Sequence, residues 1–598
     1  MFTNRAAFFR SQGSRSALGL SLAVASAFAL PSASARAQIL ANPAFEGAYI
    51  APTGCANVTG AVAPGWIDNT CFDPDRPKVR YVRDTVIKHG GAAAQQIALI
   101  AGRRAQFGQF LATPFEVGRR YEVGLWLRSR EPMFVELGLR QADAPYTPYS
   151  SRLVKLTPTW TRYTFGGSTE STAVALLILA TRPGTFWVDD ASLIGPAQPL
   201  PRPRPPAAAI PRGFFGMHLN DLDTPWPAVG GVIGAVRVWD AGPNRDGSGR
   251  GSQWADVNPA PGVYDWSGVD ARVAAAEARG AAVIYTLGGR TPRWASARPD
   301  ETDDSPGGGS PYGPGQAAEP RSDALWRSWV RAIATRYRGR IKFWEIWNEP
   351  DLPLFYTGNP DRLVELARSA HAVLKQVDPG NQVLTPGFSN AGGPGFLDYF
   401  LAAGGGASAD IVASHFYVDR PEDNGGWRMA NLRAVLARYG AAAKPLWNTE
   451  QGWIDLDGSA PPIAEEVGAA YVARSHILAW AHGLAHFAYY TWDNRSNQFP
   501  FAEPDRATLR PPGRAYREVA AWLVGRVMTS LAVDAAGTYR ATLRGGDGRL
   551  ARILWNPNDR PLFAVPGAWG ATEVRDLEGG THPIGASLEI TGSPLLVQ

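Results

Sequence analysis

Between residues 214 and 525 the sequence alternates between short apolar segments and longer amphipathic segments. The short segments have the length of buried strands, and the segments between them carry apolar residues at helical spacing. Eight strands that alternate with helices over about 300 residues indicate a (β/α)8 barrel. The predicted strands span residues 214–219, 235–239, 282–287, 341–347, 382–386, 411–417, 445–449 and 486–492.

The clearest helical pattern covers residues 323–337, where apolar side chains recur on one face. Residues 361–376 and 463–481 have the same pattern, and residues 513–524 form the last predicted helix of the barrel. A loop rich in glycine and proline, residues 298–320, follows the third strand. Loops that follow barrel strands lie on the active-site face, so this loop is predicted to be a rim or a mobile lid.

The fourth predicted strand ends abruptly at a carboxylate. The segment IKFWEIWNEPD, residues 341–351, starts as a buried strand and stops at Pro350, which cannot donate to a sheet ladder and disfavours helical geometry at the residue before it. Glu349 is therefore presented at the carboxyl end of a strand, where barrel enzymes place their chemistry. Glu450, in KPLWNTEQGW, ends the seventh predicted strand in a similar way.

Two carboxylates at these positions suit the hydrolysis of a glycosidic bond. Strands four and seven end on opposite sides of the barrel, so Glu349 and Glu450 are predicted to face each other across the pore. The reaction needs one carboxylic acid to protonate the leaving oxygen and a second carboxylate on the other face of the sugar. The sequence contains no HExxH motif, no phosphate-binding glycine–lysine loop and no G-x-S-x-G elbow, and the predicted site needs no metal or organic cofactor.

Several motifs in this region resemble those of glycoside hydrolase clan A, most nearly family 39. They are FWEIWNEPDLPLFYTG, VRVWD, TPRWAS, SHFY and WNTEQG, and the resemblance covers residues 214–525. It implies that Glu349 is the acid/base and Glu450 the nucleophile of a retaining glycosidase, and that Asn348 hydrogen-bonds the 2-hydroxyl of the sugar. The acid needs a raised pKa and the nucleophile a low one, so only the nucleophile should have a cation beside it.

The resemblance assigns supporting roles to further residues at strand ends. Arg237, which ends strand two, would lie beside Glu450 and hold it ionised. His415 and Tyr417, on one face of strand six, would orient the nucleophile and the acid, and Trp492 would form the platform under the scissile sugar. The structural alternatives are an ion pair for the arginine, a core position for the histidine and barrel packing for the tryptophan. Further candidates for lining the cleft are Trp294, Glu345, Trp347 and Trp453.

Residues 38–195 contain short strands with turn signals and no helical segments, which is typical of a β-sandwich. Motifs across this segment resemble carbohydrate-binding modules of families 4 and 9. The resemblance implies a structural calcium ion, for which Glu46 and Asp190 are the candidate ligands because carboxylates suit that ion. The alternative is that both acids cap turns. The motifs are NPAFE at residues 42–46, GW at 65–66, YEVGLW at 121–126, Trp160 and VDD at 188–190.

Residues 1–37 have the positive start, the apolar stretch and the A-R-A cleavage site of a secretory signal peptide, so an exported protein, periplasmic or secreted, is expected. The apolar stretch is too short for a stable membrane anchor in the mature protein. Removing these residues takes away four arginines and no acid, so the net charge falls from +5 to +1 and gives no indication of nucleic-acid binding. In an oxidising compartment Cys55 and Cys71 are expected to form a disulfide rather than two free thiols.

The remaining segments complete the domain organisation. Residues 196–212 are dense in proline and form a predicted stiff linker. Residues 213–525 comprise the barrel. Residues 526–598 return to short strands and resemble the small C-terminal β-sandwich that packs on many barrel glycosidases.

The functional hypothesis is an exported retaining glycoside hydrolase that degrades a polysaccharide, either an exopolysaccharide or a plant cell-wall glycan. An appended sugar-binding module favours endo-action on a long chain, because it raises the effective concentration of the enzyme on the polymer. An exo-acting enzyme similar to β-xylosidases is the alternative within the enzyme class. A non-catalytic carbohydrate-binding or matrix protein is the alternative of another class.

Overall fold

The computed structural model confirms the predicted fold class: a β-sandwich, a (β/α)8 barrel and a small C-terminal β-domain. Residues Gln38–Gln598 form one compact unit. The predicted signal peptide, residues 1–37, lies outside the described residues, as do parts of the linker 196–212 and of the loop 298–320. Among the described residues, no helix is both long and apolar enough to cross a membrane. The structure describes residues 38–52, 55–71, 76–196, 199, 204–242, 250–302, 312–390, 393–455, 460–493, 496–585 and 587–598.

Two sheets make up the N-terminal β-sandwich. Its strands are β1 (Val58–Gly60), β2 (Ile67–Asp68), β3 (Lys78–Asp84), β4 (Ala94–Ala101), β5 (Ala105–Phe110), β6 (Arg120–Ser129), β7 (Met133–Gln141), β8 (Pro148–Leu156), β9 (Thr161–Ser168), β10 (Val174–Ala180) and β11 (Gly184–Ile194). One sheet has six strands in the order β1-β3-β4-β11-β6-β9, and the other has five in the order β2-β5-β10-β7-β8. The predicted disulfide joins Cys55 and Cys71, whose Cα atoms are 5.6 Å apart.

Alternate residues of these strands face the space between the two sheets. In β6, Tyr121 and Val123 are buried, whereas Glu122 between them is exposed. Trp66 belongs to this core, because its ring is buried and stacks 5.3 Å from the ring of Phe107. This tryptophan therefore serves packing inside the sandwich and is not available as a sugar contact.

The barrel strands follow the predicted segments closely. They are β12 (Phe215–His218), β13 (Ala235–Val238), β14 (Ala282–Gly288), β15 (Phe343–Trp347), β16 (Gln382–Leu384), β17 (Val412–His415), β18 (Leu446–Gln451) and β19 (His486–Tyr489). They form a parallel sheet in the order β16-β15-β14-β13-β12-β19-β18-β17. A parallel bridge between Leu384 and Ile411 brings the two outer strands of this sheet together, so the sheet curves into a barrel.

The barrel interior is divided into an apolar lower part and a polar upper part. Near the amino ends of the strands, a cluster that includes Ala235, Ile284 and Ile411 fills the pore. Two residues further along β13, the side chain of Arg237 points to the same side as that of Ala235. Because side chains alternate along a strand, the next position of β13 that faces the pore after Ala235 is Arg237. The charged group therefore lies nearer the carboxyl-end face, where barrel enzymes have their active sites.

Helices surround the barrel and several begin at caps that the sequence contains. The Ser322 hydroxyl accepts a hydrogen bond from the Leu325 N–H at the start of one helix, and Asn359 caps another that begins with Pro360. The helices are α1 (Trp254–Val257), α2 (Ser267–Glu277), α3 (Asp323–Arg336), α4 (Pro360–Val377), α5 (Gly393–Ala402), α6 (Gly426–Arg438), α7 (Glu465–Ala481) and α8 (Pro511–Leu523). Short 3-10 turns span Arg212–Phe214, Arg293–Ala295, Gly405–Ser408, Pro421–Asn424 and Gly567–Trp569.

The C-terminal β-domain packs directly on the barrel. Its strands are β20 (Val527–Val533), β21 (Tyr539–Arg544), β22 (Leu550–Trp555), β23 (Leu562–Ala564), β24 (Glu573–Arg575), β25 (Thr581–Pro583), β26 (Ser587–Glu589) and β27 (Leu595–Val597). They form a six-stranded sheet, β20-β21-β22-β27-β24-β25, and the pair β23-β26. Trp555 is fully buried in the same hydrophobic cluster as the barrel helices, and its indole N–H donates to the Glu422 carboxylate (3.1 Å).

Candidate active site

Glu349 is held at the end of β15 in a left-handed backbone conformation. Its φ angle is 38°, a region that non-glycine residues rarely occupy and that costs on the order of 1 kcal/mol. The Glu349 N–H donates to the Gly387 carbonyl (2.8 Å), and the Asn348 N–H donates to the Gly288 carbonyl (3.2 Å). These bonds, with Pro350 next in the chain, turn the backbone sharply and present the carboxylate to the pore.

Arg237 is the centre of the polar cluster in the pore. It is buried, and its guanidinium donates to three side chains from two other strands and the loop after β15. Nη1 donates to Glu450 Oε2 (2.6 Å), Nη2 to Asn348 Oδ1 (2.8 Å), and Nε and Nη2 to Glu345 Oε2 (2.8 and 2.5 Å). A planar guanidinium suits this arrangement because its donors point in fixed directions.

Glu345 faces the pore, which resolves the two orientations that the sequence left open. It is fully buried, and besides Arg237 it accepts hydrogen bonds from the hydroxyls of Thr286 (2.6 Å) and Thr449 (2.7 Å). These donors come from three different strands and fix the orientation of the carboxylate. Glu345 therefore acts as the fixed counter-ion that keeps Arg237 in position.

The two predicted catalytic glutamates have different partners. The Tyr417 hydroxyl donates to Glu450 Oε1 (2.8 Å), while Arg237 occupies the other oxygen of that carboxylate. Glu349 Oε1 lies 2.7 Å from His415 Nδ1, and the same nitrogen lies 4.0 Å from Glu450 Oε2. Oxygens of the two carboxylates and a ring nitrogen of His415 all lie within 4.8 Å of one another. The geometry pairs the cation with Glu450 and the histidine with Glu349.

Burial raises the pKa of Glu349 to about 7, although the charge of Arg237 opposes the shift. Burial also raises the pKa of Glu450, against the opposing charges of His415 and Arg237. The expectation of a low pKa for Glu450 is therefore wrong, because both carboxylates lie out of water and desolvation acts on each. The negative charge is nevertheless favoured on Glu450, which is the carboxylate that touches the guanidinium. Burial lowers the pKa of His415, so its ring is neutral at pH 7.

The two predicted tryptophans, Trp492 and Trp294, lie on the carboxyl-end face, and the hydrogen bonds described above for Glu349 and Glu450 do not involve them. Trp492 follows β19, exposes 3% of its surface and packs 5.5 Å from the ring of Phe501. Trp294 is half-buried in a 3-10 turn after β14, and its indole N–H donates to the Asn258 carbonyl (2.9 Å). Their roles under and beside a sugar remain predictions.

A second polar cluster adjoins the site and was not anticipated as functional. The Tyr490 hydroxyl donates to Asp240, which also accepts from the side-chain amide of Asn220 (3.2 Å). Asp240 and Tyr490 follow the ends of β13 and β19. Carboxyl and hydroxyl side chains just after barrel strands are therefore the sequence signal that could have identified this cluster. Asp351, two residues after Glu349, accepts from the backbone N–H of Ser389 (3.0 Å), and burial and the charge of Glu349 raise its pKa to about 6.

The candidate calcium ligands lie on either side of one loop in the N-terminal sandwich. Glu46 Oε1 accepts a hydrogen bond from the Ala92 N–H (2.6 Å), and Asp190 Oδ2 lies 2.6 Å from His89 Nδ1. Both carboxylates thus hold the turn that contains residues 88–92, which is the capping role considered as the alternative. A calcium ion between them remains a prediction.

The fold has solved counterparts. A family 39 glycoside hydrolase from the gut symbiont Bacteroides cellulosilyticus WH2 matches with a TM-score of 0.50 and 16% identity, over 83% of this chain and 97% of its own. The chain resembles this glycoside hydrolase in fold. A family 39 β-xylosidase from Caulobacter crescentus matches with a TM-score of 0.45 and 18% identity, over 67% of this chain and 98% of its own. No protein-family model matches the chain, and no curated protein sequence matches it either.

Proposed function

We propose that this chain is a retaining glycoside hydrolase in which Glu349 is the acid/base and Glu450 the nucleophile. The observation that carries the proposal is the pair of buried carboxylates whose oxygens lie within 4.8 Å of each other. Retaining enzymes place the two carboxyl groups about 5–5.5 Å apart, whereas inverting enzymes leave about 6.5–9.5 Å for a water molecule. The short separation supports double displacement.

The neighbours of each carboxylate support its role. Arg237 and Tyr417 occupy both oxygens of Glu450 and favour its charge, so the anion is available to attack the anomeric carbon. Glu349, with a pKa of about 7, is largely protonated below neutral pH and can protonate the leaving oxygen. Water then hydrolyses the glycosyl ester formed on Glu450, and Glu349 takes the proton from that water.

Asn348 and His415 complete the site as positioning groups. The Asn348 side-chain oxygen is engaged by Arg237 (2.8 Å), which leaves its amide N–H groups to donate to a sugar hydroxyl such as the 2-hydroxyl. Because neutral His415 contacts Glu349, it fixes the carboxyl orientation without adding a full charge that would lower its pKa.

A metal-dependent hydrolase is the other chemistry that two glutamates and a histidine could support. The guanidinium of Arg237, 2.6 Å from Glu450, disfavours a divalent cation on that carboxylate because the two positive charges would repel each other. The cofactor-free double displacement is therefore the function that this geometry supports best.

The wider hypothesis concerns substrate and location. We infer that the protein is exported and acts on a polysaccharide, endo-wise, since a signal-like segment and a sugar-binding type of sandwich accompany the barrel. Exo-action similar to that of β-xylosidases is the alternative, and the product lengths from a polymer separate the two.

The decisive test is incubation of the full chain with a panel of soluble plant and bacterial polysaccharides, with reducing ends as the readout. We expect release by the wild type and none by Glu450→Ala. Glu365→Ala is a matched control, because Glu365 is an exposed glutamate on α4 that pairs with Arg362. Binding without release by the wild type would favour a matrix protein instead.

Proton NMR of the first product tests the stereochemistry. A retained anomer is expected, because the anomeric carbon is inverted twice. The first inversion occurs when Glu450 attacks it and the second when water displaces Glu450. An inverted first product would remove the nucleophile role from Glu450.

A further inference from the structure

The N-terminal sandwich is fastened to the barrel by buried polar contacts. Asn431 on α6 accepts a hydrogen bond from the Ser168 N–H (2.9 Å) and donates to the carbonyls of Tyr149 (2.8 Å) and Ser168 (3.1 Å). Asp398 on α5, almost fully buried, lies 3.2 Å from Arg152 Nε of β8. Buried hydrogen bonds of this kind fix one relative position of the two domains.

This packing forms a cavity of about 690 Å³ between the two domains, open to solvent on one side. The sandwich contributes the loops after β7 and β9, with the side chains of Gln141, Thr147 and Ser171, and the barrel contributes Asn390 and Tyr417. Pockets that hold small organic ligands have volumes of about 300–1,000 Å³. The cavity is therefore large enough for a short stretch of a sugar chain.

The cavity adjoins the catalytic pair through Tyr417. This residue lines the cavity and donates to Glu450 Oε1 (2.8 Å), and its own carbonyl accepts from the Asn390 side chain (2.5 Å). A second, smaller cavity shares Asn390 with the first and is lined by His415, the partner of Glu349. Both thus border on residues that contact the two carboxylates.

The lining combines hydrogen-bonding groups with an excess of acid. Gln141 and Thr147 offer neutral donors and acceptors that suit sugar hydroxyls. Three carboxylates line the same space against a single arginine, so acidic groups are in excess there. An anionic sugar would be repelled here, whereas a neutral or amino sugar would not. The charged lining residues are Glu170, Asp419, Asp423 and Arg428.

We propose that this interdomain cavity is a substrate subsite that holds neutral or amino-sugar units next to the scissile bond, with the sandwich as one of its walls. The proposal rests on the glycosidase function proposed above and adds the substrate class and the place where the chain runs. The sandwich then acts inside the cleft, in contact with the units being positioned, as well as on the polymer at a distance.

Calorimetric titration of the full chain tests the subsite without turnover. The chain carries Glu450→Gln, and the probes are oligomers of glucose, xylose, glucosamine and galacturonic acid. Thr147→Trp and Thr172→Trp place an indole in the cavity from two different loops, and we expect each to weaken binding of the best neutral or amino-sugar oligomer by about tenfold or more. Thr59→Trp is the matched control, because Thr59 is an exposed threonine on β1 outside the cavity lining, and this variant should bind as the parent does.

Thermal melting of each variant establishes that it is folded. Because Thr172 is exposed, Thr172→Trp is the substitution that should disturb the core least. Equal affinities of the cavity and control variants would overturn the subsite. The substrate class would be overturned if the galacturonate oligomer bound more tightly than every neutral or amino-sugar oligomer. It would also be overturned if no neutral or amino-sugar oligomer bound. Hydrolysis by the wild type is measured separately, so the subsite can fail while the glycosidase function stands.

A charge variant supplies an independent readout. Glu170→Gln combined with Asp419→Asn removes two of the three carboxylates while keeping their shapes. We expect the preference for neutral over galacturonate oligomers to narrow by about threefold or more at low salt, since the repulsion is electrostatic. An unchanged preference would show that the lining charges do not face the bound sugar.

Discussion

At the scale of single residues, Glu349 and Glu450 differ in the side chain that contacts each carboxylate. Arg237 donates to Glu450, whereas His415 lies beside Glu349, so the guanidinium favours a negative charge on Glu450. The asymmetry depends on Glu345, which holds the guanidinium from below. Arg237 thus forms a structural ion pair with Glu345, and in the proposed mechanism it would also distinguish the nucleophile from the acid.

The acid role of Glu349 predicts a leaving-group dependence. In Glu349→Gln the first step loses its proton donor, so cleavage of glycosides with poor leaving groups should slow by about 10²–10⁴-fold. Activated aryl glycosides, whose leaving groups need no proton, should lose far less in that step. Rates measured across leaving groups of different pKa check this. Glu450→Gln is the comparison, and its activity should fall equally on all substrates. Equal losses in both variants would contradict the assignment.

The raised pKa of Glu349 predicts both activity and stability as functions of pH. The acid must be protonated to act, so kcat/KM should fall as the pH rises through about 7. In the folded state the proton is held more tightly than in the unfolded chain, so the group's stabilising contribution is full below its ordinary pKa and is lost as the pH rises through about 7.

Glu349→Gln, neutral at every pH, should therefore remove the alkaline limb of the kcat/KM profile. Its free energy of unfolding at pH 8 should exceed that of the wild type by on the order of 2 kcal/mol, as measured by urea denaturation. The difference should shrink below pH 5. A constant difference across this range would assign the shift to another group.

At the scale of elements, the strands were predictable and the direction of some side chains was not. The barrel strands are short apolar runs bounded by turns, so their positions follow from the pattern alone. Residues of a parallel strand are buried on both faces, and Glu345 could have pointed to the helices as well as to the pore. Only the contacts with other barrel strands, which supply Arg237 and Thr449, decide between the two.

The packing of α5 and α6 on the sandwich was equally out of reach of the sequence. Asn431 looks like any polar residue of a helix, yet it is buried and bonds to backbone groups of β8 and β9. Likewise, the proline-dense linker 196–212 predicted a spacer and carried no information about where the sandwich docks. Long-range contacts of this kind have no local pattern.

The contacts of Asn431 predict a measurable loss of stability. Asn431→Ala leaves buried N–H and carbonyl groups of the sandwich without partners, and each such group costs about 1–3 kcal/mol. We expect a lower urea midpoint for the transition that includes the barrel. Arg433→Ala, on an exposed position of α6, is the control and should change stability by less than about 1 kcal/mol. Equal effects of the two would mean that Asn431 does not hold the interface.

At the scale of the whole molecule, the domains differ in how they are joined. A module on a flexible tether raises local concentration but adds nothing to the site itself. Here the sandwich meets the barrel through Asn431, through Asp398 and through Arg182, whose Nη2 donates to the Thr357 carbonyl (2.7 Å) in the loop after β15. The last contact places the sandwich beside the loop that carries Glu349, so the sandwich adjoins the carboxyl-end face of the barrel.

This joint construction predicts that cutting the linker leaves the protein together. A protease site introduced between residues 199 and 204 separates sandwich and barrel covalently while sparing the described contacts between them. The cut protein should elute as one species in size-exclusion chromatography and keep its hydrolysis of a polymer, because the buried contacts of Asn431 and Asp398 join the two domains without the linker. The same cut in a chain with Asn431→Ala, Asp398→Ala and Arg182→Ala should release two species, since all three of these contacts are then lost. Separation of the fragments in the otherwise unchanged protein would mean that the linker, and not the interface, keeps the sandwich in place.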